Sequence, residues 1–145
     1  MKTYTVTVDN NGNNAWYSNG KLHREDGPAI EYANGSKSWY INGQLHREDG
    51  PAFEYASGDK EWYLNDKLHR EDGPAIEYAN GDKVWYINGK LHRKDGPAFE
   101  YANGIKVWYL NGQRVSEQDV LNSSQTVEIE GVKYSVAQIK AALKK

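Results

Sequence analysis

The sequence contains no cysteine, which excludes disulfide bonds and thiolate metal sites. It also has no apolar run near the ~20 residues that a membrane-spanning helix needs. The first residues, Met1 to Asp9, lack the apolar core of a signal peptide. Acidic and basic residues nearly balance, at a formal net charge of −2, so no global basic field points to nucleic acid or to an anionic membrane. We therefore expect a cytoplasmic protein.

Phenylalanine is also scarce, with 2 Phe against 5 Trp and 11 Tyr. Trp and Tyr suit half-buried strands, because the ring packs while its polar edge reaches a partner. Their positions are periodic. The Trp-Tyr pair recurs every 23 residues from Trp16 to Trp108, and Leu-His-Arg and Asp-Gly-Pro-Ala recur at the same interval. A fixed period of this kind indicates a tandem array of one supersecondary unit.

Each unit shows two turns between short strand patterns. Residues 27–33 alternate as a strand, and Asn34-Gly35 predicts a type I′ turn with positive φ at both positions. Residues 36–41 predict one continuous return strand, Asn42-Gly43 a second turn, and residues 44–47 a short third segment. The predicted fold class is mainly β: an elongated twisted sheet of about five tandem 23-residue hairpin units.

The two ends depart from the repeat. Residues 1–15 predict a degenerate N-terminal cap with a half-buried strand over residues 2–9, and residues 16–115 are the array. Residues 116–145 predict a C-terminal cap or docking module. It comprises a short helix after the N-cap Ser116, a small hairpin, and a final helix that opens with a capping box at Ser135.

The unit Trp-Tyr-x-Asn-Gly-x-Leu-His-Arg-x-Asp-Gly-Pro-Ala-x-Glu-Tyr, over about residues 16–113, resembles MORN repeats. Its Leu-His-Arg-x-Asp-Gly-Pro-Ala block is similar to uncharacterised repeat proteins of bacteriophages and large DNA viruses. The MORN resemblance implies a twisted sheet of successive hairpins that binds proteins or membranes. The viral resemblance implies an accessory protein that acts on a host protein. Neither resemblance carries catalytic residues.

One His-Arg pair per unit forms a candidate ladder, which could bind phosphates or an acidic protein surface. The alternative is structural, with each Arg paired to the Asp across its turn. A shared metal ion is disfavoured because equivalent His residues lie about 10 Å apart, two strands away. No Ser or Cys recurs beside the His-Asp pairs, so we expect no enzyme and no cofactor. The ladder comprises His23, Arg24, His46, Arg47, His69, Arg70, His92 and Arg93.

The tyrosines of the Trp-Tyr pairs form a second candidate partner-binding set. Adjacent strand residues point to opposite faces, so either the Trp or the Tyr set packs and the other lines a surface. An aromatic surface with few charges is typical of protein-binding faces. This set comprises Tyr17, Tyr40, Tyr63, Tyr86 and Tyr109.

The functional hypothesis is a non-catalytic protein-binding repeat module. If the viral resemblance holds, it is a phage-encoded inhibitor that occludes a host protein, such as a CRISPR-type or nuclease defence complex, in the host cytoplasm. The alternatives are a nucleic-acid or nucleotide binder that uses the ladder, and a membrane-associated MORN-type scaffold. Because both sheet faces carry aromatic residues, a homodimer is a further expectation.

Overall fold

The computed structural model describes residues 2–144 and is mainly β, with two short helices near the C-terminus, α1 (Glu117–Ser124) and α2 (Val136–Leu143). The strands, in chain order, are β1 (Thr5–Val8), β2 (Asn14–Ser18), β3 (Lys21–Leu22), β4 (Ile30–Glu31), β5 (Lys37–Ser38), β6 (Tyr40–Ile41), β7 (Gln44–Leu45), β8 (Phe53–Glu54), β9 (Lys60–Glu61), β10 (Tyr63–Leu64), β11 (Lys67–Leu68), β12 (Ile76–Glu77), β13 (Lys83–Val84), β14 (Tyr86–Ile87), β15 (Lys90–Leu91), β16 (Phe99–Glu100), β17 (Lys106–Leu110), β18 (Gln113–Val115), β19 (Thr126–Ile129) and β20 (Val132–Ser135). The predicted array of hairpins is confirmed.

Each repeat unit supplies two hairpins to two parallel rows. The first hairpins, such as β4-β5, join one antiparallel sheet, the main sheet, in the order β1-β2-β4-β5-β8-β9-β12-β13-β16-β17-β18. The second hairpins, such as β6-β7, lie beside it and are linked by backbone hydrogen bonds. The Arg47 N–H donates to the Tyr63 carbonyl at 3.1 Å, and the Asp66 N–H donates to the Leu45 carbonyl at 2.9 Å. These linked hairpins are the second row.

In the three central units the return strand is divided at its tryptophan, whereas β2 and β17 continue through Trp16 and Trp108. β5 pairs with β4 of its own unit and β8 of the next, whereas β6 pairs only with β7. Between β5 and β6, the Trp39 N–H donates to the carbonyl of Ala52 at 2.8 Å. Ala52 belongs to the next unit, so the chain leaves its own hairpin at Trp39 and bonds forward. The prediction of one continuous strand over residues 36–41 is therefore wrong.

The two turns of a unit have different conformations. At Asn42-Gly43 both residues have positive φ, 52° and 81°, as a type I′ turn requires. At Asn34-Gly35 only Gly35 has positive φ, 93°, and the Asn34 side chain accepts the backbone N–H two residues on at 2.9 Å. The type I′ prediction is wrong for this first turn. The first position of this turn needs no positive φ. Ser57, which takes this position in the next unit, therefore replaces Asn without backbone strain.

Cross-strand pairing gives the main sheet two unlike faces. On one, the tyrosine face, a mostly apolar row crosses the strands: Ile30, Ser38, Phe53, Glu61, Ile76, Val84, Phe99 and Val107. On the other face, side chains of opposite charge lie directly across from each other on neighbouring strands, which stabilises an antiparallel sheet. That row is Glu31, Lys37, Glu54, Lys60, Glu77, Lys83, Glu100 and Lys106.

The core is small and lies along the array. Its most buried members are one alanine per unit, each 0% exposed, and Val84 at 1%. The alanine carbonyl accepts the tryptophan N–H of the preceding unit, so this core lies where units join. These alanines are Ala29, Ala52, Ala75 and Ala98.

Replacing Ser38 with valine is expected to stabilise the fold by about 1 kcal/mol. Ser38 is fully buried, its hydroxyl oxygen has no hydrogen-bond partner among the described residues, and Val84 fills the equivalent place two units on. Urea unfolding of Ser38→Val measures the change, with Thr126→Val, which replaces an exposed hydroxyl of β19, as the control. Destabilisation would contradict this account and indicate that the hydroxyl forms a hydrogen bond with the Tyr40 phenol.

The ends close the array differently. At the N-terminal edge, β1 pairs only with β2, and Val6 and Val8 are 51% and 69% exposed, so the predicted half-buried strand is wrong. At the C-terminal end the structure confirms the predicted helix, hairpin and helix, including the N-cap at Ser116 and the capping box at Ser135. No helix in residues 2–144 is long and apolar enough to cross a membrane.

Candidate functional site

Each ladder arginine lies inside a set of internal contacts, the arginine box. In the third unit the Arg70 guanidinium stacks on Trp62, with Cζ 4.0 Å from the ring centre. Its Nε donates to Asp72 at 3.0 Å, and its Nη1 donates to the Pro74 carbonyl at 3.0 Å and to Glu77 at 3.1 Å. The arginine side chain is 21% exposed. Arg70 therefore joins its tryptophan to the turn and to the main sheet.

The same box occurs in four units. The guanidinium carbon lies 4.1, 3.9, 4.0 and 3.9 Å from the tryptophan ring centre in successive units. The arginine side chains are 19–22% exposed throughout. The sets are Arg24 with Trp16, Asp26 and Glu31; Arg47 with Trp39, Asp49 and Glu54; Arg70 with Trp62, Asp72 and Glu77; and Arg93 with Trp85, Asp95 and Glu100.

The glycine of Asp-Gly-Pro leaves room for the box. A Cβ at Gly73 would lie 2.9 Å from the guanidinium carbon of Arg70, and one at Gly96 would lie 2.8 Å from that of Arg93. These glycines do not have positive φ. Glycine is therefore needed here because the guanidinium lies close to its Cα, and not because the backbone conformation is unusual.

Each ladder histidine completes the hydrogen bonding between two units. In the third unit the Asn88 N–H donates to Nδ1 of His69 at 3.0 Å, between two backbone bonds that link the same units. The neutral ring therefore carries its proton on Nε2, which lies 3.5 Å from Glu71. Equivalent bonds join Asn42 to His23, Asn65 to His46 and Asn111 to His92 at 3.0, 3.2 and 2.9 Å. In the second row, the imidazole Nδ1 thus accepts a backbone N–H in the way that a backbone carbonyl oxygen does elsewhere.

The contacts of the histidine row differ from those of a metal centre. Within residues 2–144, no group of three or more His, Asp or Glu side chains is placed to hold a metal ion. Each Nδ1 lone pair already accepts a backbone N–H, which removes one of the two nitrogens that could bind a metal.

The pKa of His92 is expected to respond to Lys94, which stands where the other units have Glu. Partial burial lowers the pKa of His92 below its ordinary value, and the charge of Lys94 lowers it further. The unfolded state therefore binds the proton more tightly. Stability from neutral His92 is complete above the ordinary pKa of about 6.5 and is lost as the pH falls from there through the lower folded pKa.

The test is an NMR titration of His92 in the native chain and in Lys94→Glu. The glutamate variant should raise the pKa of His92 and weaken the loss of stability on acidification. Lys133→Glu, in the C-terminal hairpin, is the control and should leave the pKa of His92 unchanged. An unchanged pKa in Lys94→Glu would show that Lys94 does not act on this ring.

Three equivalent grooves lie between successive His-Arg-x-Asp loops. The second groove, of about 740 Å³, has Trp62 and Leu64 as its floor. The first and third, of about 670 and 740 Å³, have Trp39 with Ile41 and Trp85 with Ile87. Their rims are the acidic pairs of the flanking loops, except that the last loop carries Lys94. The rim pairs are Glu25-Asp26, Glu48-Asp49, Glu71-Asp72 and Lys94-Asp95.

The exposed charge at the ladder edge is negative. The rim residues Glu48 and Asp49 are 84% and 87% exposed, whereas Arg47 between them and the sheet is 22% exposed. The same contrast holds at Glu71 and Asp72, which are 83% and 88% exposed. The sequence predicted that the histidines and arginines are the exposed binding groups, but the groups most exposed to solvent are the carboxylates. Their signal in the sequence is the Glu-Asp pair that follows three of the four His-Arg pairs.

The tyrosines of the Trp-Tyr pairs are half-buried, so neither aromatic set is fully packed or fully exposed. A different row is more exposed, with Tyr55, Tyr78 and Tyr101 at 36%, 39% and 37%. The predicted binding role of the first set stays a prediction. That set is Tyr17, Tyr40, Tyr63, Tyr86 and Tyr109.

Glu61 is the one carboxylate in the apolar row of the tyrosine face. It accepts hydrogen bonds from the hydroxyls of Tyr55 at 3.2 Å and Tyr63 at 2.9 Å. Burial and then the charge of Glu61 raise the pKa of Tyr55 to about 12, and burial also raises the pKa of Tyr63. Both phenols therefore remain protonated donors at neutral pH, and this polar cluster interrupts the aromatic surface.

The Glu of each Glu-Tyr pair is a residue whose role the sequence did not reveal. It lies seven positions after the arginine that it binds, across a turn containing Gly-Pro, so no strand or helix periodicity relates the two.

Searches with family models and among curated proteins find no match to this chain.

Proposed function

We propose that the array is a non-catalytic protein-binding module whose contact surface is the row of three grooves. The observation that carries this proposal is the groove row itself. It presents the same apolar floor and exposed polar rim three times along one edge. An apolar floor with a polar rim is the usual organisation of a protein interface.

The contacts of the ladder favour a protein partner over nucleic acid. A phosphate-binding row needs guanidinium groups that face solvent. Here each arginine contacts two carboxylates and a tryptophan ring, and the exposed rim is acidic next to three of the four. The same negative rim repels anionic lipid headgroups. The viral resemblance adds a host protein, such as a defence complex blocked by occlusion, as the partner to examine first.

The test is capture of proteins from bacterial lysate by the tagged chain and by Glu48→Lys/Glu71→Lys. The fold should tolerate these changes, because the fourth loop already carries Lys94 at the equivalent position. The control is Glu128→Lys/Glu130→Lys in the C-terminal hairpin, which makes the same change of net charge away from the grooves. Circular dichroism confirms folding of all three.

A stoichiometric protein that binds the native chain and the control but not the rim variant is the expected result. Nuclease-sensitive nucleic acid in place of a protein would overturn the proposal and favour the nucleic-acid alternative. Sedimentation with anionic vesicles, without a protein partner, would favour the membrane scaffold instead.

A further inference from the structure

We infer that the first and second grooves bind a basic protein segment whose Lys or Arg side chains are spaced about 10 Å apart. This inference rests on the proposed function and specifies its partner. Basic side chains suit these grooves in three respects: the charge of the rim, the chemistry of the floor and the repeat distance.

The rims of the first two grooves carry an excess of negative charge. Four carboxylates line each of them against two arginines, and each arginine is shared with a further glutamate of the main sheet. In the first groove Lys2 also pairs with Glu25, which leaves a smaller excess there than in the second. The histidine in each groove uses Nδ1 as an acceptor in the second row, so the neutral ring adds no charge. The third groove differs, because Lys94 joins two arginines against three carboxylates and balances the charge. The inference is therefore limited to the first two grooves.

The groove floors suit the aliphatic part of a basic side chain. Trp39 and Ile41 line the first groove, and Trp62 and Leu64 line the second, all half-buried. Lys and Arg bury their methylene stems along apolar surface while the charged head stays at a polar boundary. A side chain in this position would place its head between the exposed carboxylates of two consecutive loops.

The C-terminal end provides an internal comparison. Beyond the third groove, α1 lies where a fifth His-Arg loop would stand, and with Trp108 and the fourth loop it lines a smaller cavity of about 410 Å³. This neighbour is acidic in its first turn, with Glu117 and Asp119. The loop that faces it carries Lys94 in place of Glu. The chain thus loses the net negative charge of its rim at the loop that faces its own acidic segment, so the loops that keep Glu suit a basic segment.

The array sets the spacing. Equivalent positions in successive units are two main-sheet strands apart, which is about 10 Å. A segment extended as a polyproline II helix spans about this distance in three residues and brings every third side chain to the same face, and an α-helix spans it in about seven residues. The partner should therefore carry basic residues at every third position of an extended segment, or seven positions apart on a helix.

Fluorescence anisotropy at low salt tests this with defined peptides on the full chain. The extended probe has lysine at every third position, separated by alanine and serine. A second peptide of the same composition has its lysines in one block, and a third replaces lysine with glutamate. A helical probe carries lysines seven positions apart. Each peptide is titrated against the native chain, Glu48→Lys/Glu71→Lys and the control Glu128→Lys/Glu130→Lys.

We expect one of the spaced basic peptides to bind the native chain and the control about tenfold more tightly than the blocked peptide, and the rim variant to lose this preference. No detectable binding of the glutamate peptide is expected. Equal affinity for spaced and blocked peptides, no binding of either spaced probe, or a preference that survives in the rim variant would overturn the inference. If a lysate protein is still lost in the rim variant while the basic peptides fail, the proposed function stands and the basic partner is wrong. If no lysate protein is captured and the peptides fail, both are wrong.

Discussion

Replacing Trp62 with alanine is expected to lower the free energy of unfolding by about 3 kcal/mol. The indole supports the guanidinium of Arg70, with Cζ 4.0 Å from the ring centre, and forms part of the floor of the second groove. Its removal withdraws the packing surface of a half-buried Trp and leaves Arg70 without its stacking partner. Because a repeat array is stabilised by contacts between neighbours, loss in a central unit weakens the units on both sides.

Urea unfolding followed by circular dichroism measures this loss. The control is Tyr78→Ala, which removes an aromatic ring that is 39% exposed and should cost about 1 kcal/mol or less. Equal losses for Trp62→Ala and Tyr78→Ala would contradict the account, because they would show that the tryptophan contributes no more than a surface aromatic.

Replacing Arg70 with alanine is expected to lower the free energy of unfolding by about 2 kcal/mol. The change removes the stacking on Trp62, the hydrogen bond to the Pro74 carbonyl and the ion pair with Glu77. The pair with Asp72 adds little, because that carboxylate is 88% exposed and its attraction is screened by solvent. Arg70→Lys should recover less than half of the loss, since an ammonium cannot reproduce the planar stack and the fork of donors.

A double-mutant cycle shows whether the arginine acts through the tryptophan. Trp62→Ala and Arg70→Ala should be non-additive by about 1 kcal/mol, because the two residues share one contact. Arg114→Ala is the control, since this exposed arginine of β18 makes no ion pair in the described residues and should cost under about 0.5 kcal/mol. The account would be contradicted if Arg70→Ala lowered the free energy of unfolding as little as Arg114→Ala and also abolished partner capture. The arginine row would then be the binding surface.

The sequence predicted the features that depend on local patterns. The period, the paired turns, the N-caps of both helices and the terminal hairpin all follow from residues close together in the chain, and the structure contains them. The prediction of a strand at β1 is also correct, but the predicted burial of one of its faces is not. Burial depends on what lies over a sheet face, and the strand pattern of Val6 and Val8 contains no such information.

The errors within the repeat come from hydrogen bonds that the local sequence pattern does not specify. A six-residue strand pattern cannot show that Trp39 N–H bonds forward to Ala52, so the division of the return strand was not predictable. The first turn was assigned from Asn34-Gly35 alone, whereas the asparagine side chain stabilises a turn that needs positive φ only at glycine. Similarly, the pairing of Arg70 with Glu77 joins the start of a turn to the next strand, which residue spacing alone does not specify.

The central claim of this account is that the histidine row links adjacent units through Nδ1 and is not a free binding surface. It is tested most directly by an NMR experiment that detects couplings between the two nitrogens of a hydrogen bond. At neutral pH the account predicts cross-peaks from the backbone nitrogens of four asparagines to the Nδ1 atoms of the histidines one unit earlier. These pairs are Asn42 with His23, Asn65 with His46, Asn88 with His69 and Asn111 with His92. Absence of all four cross-peaks, with the proton on Nδ1, would contradict the claim and leave the row available to bind a partner.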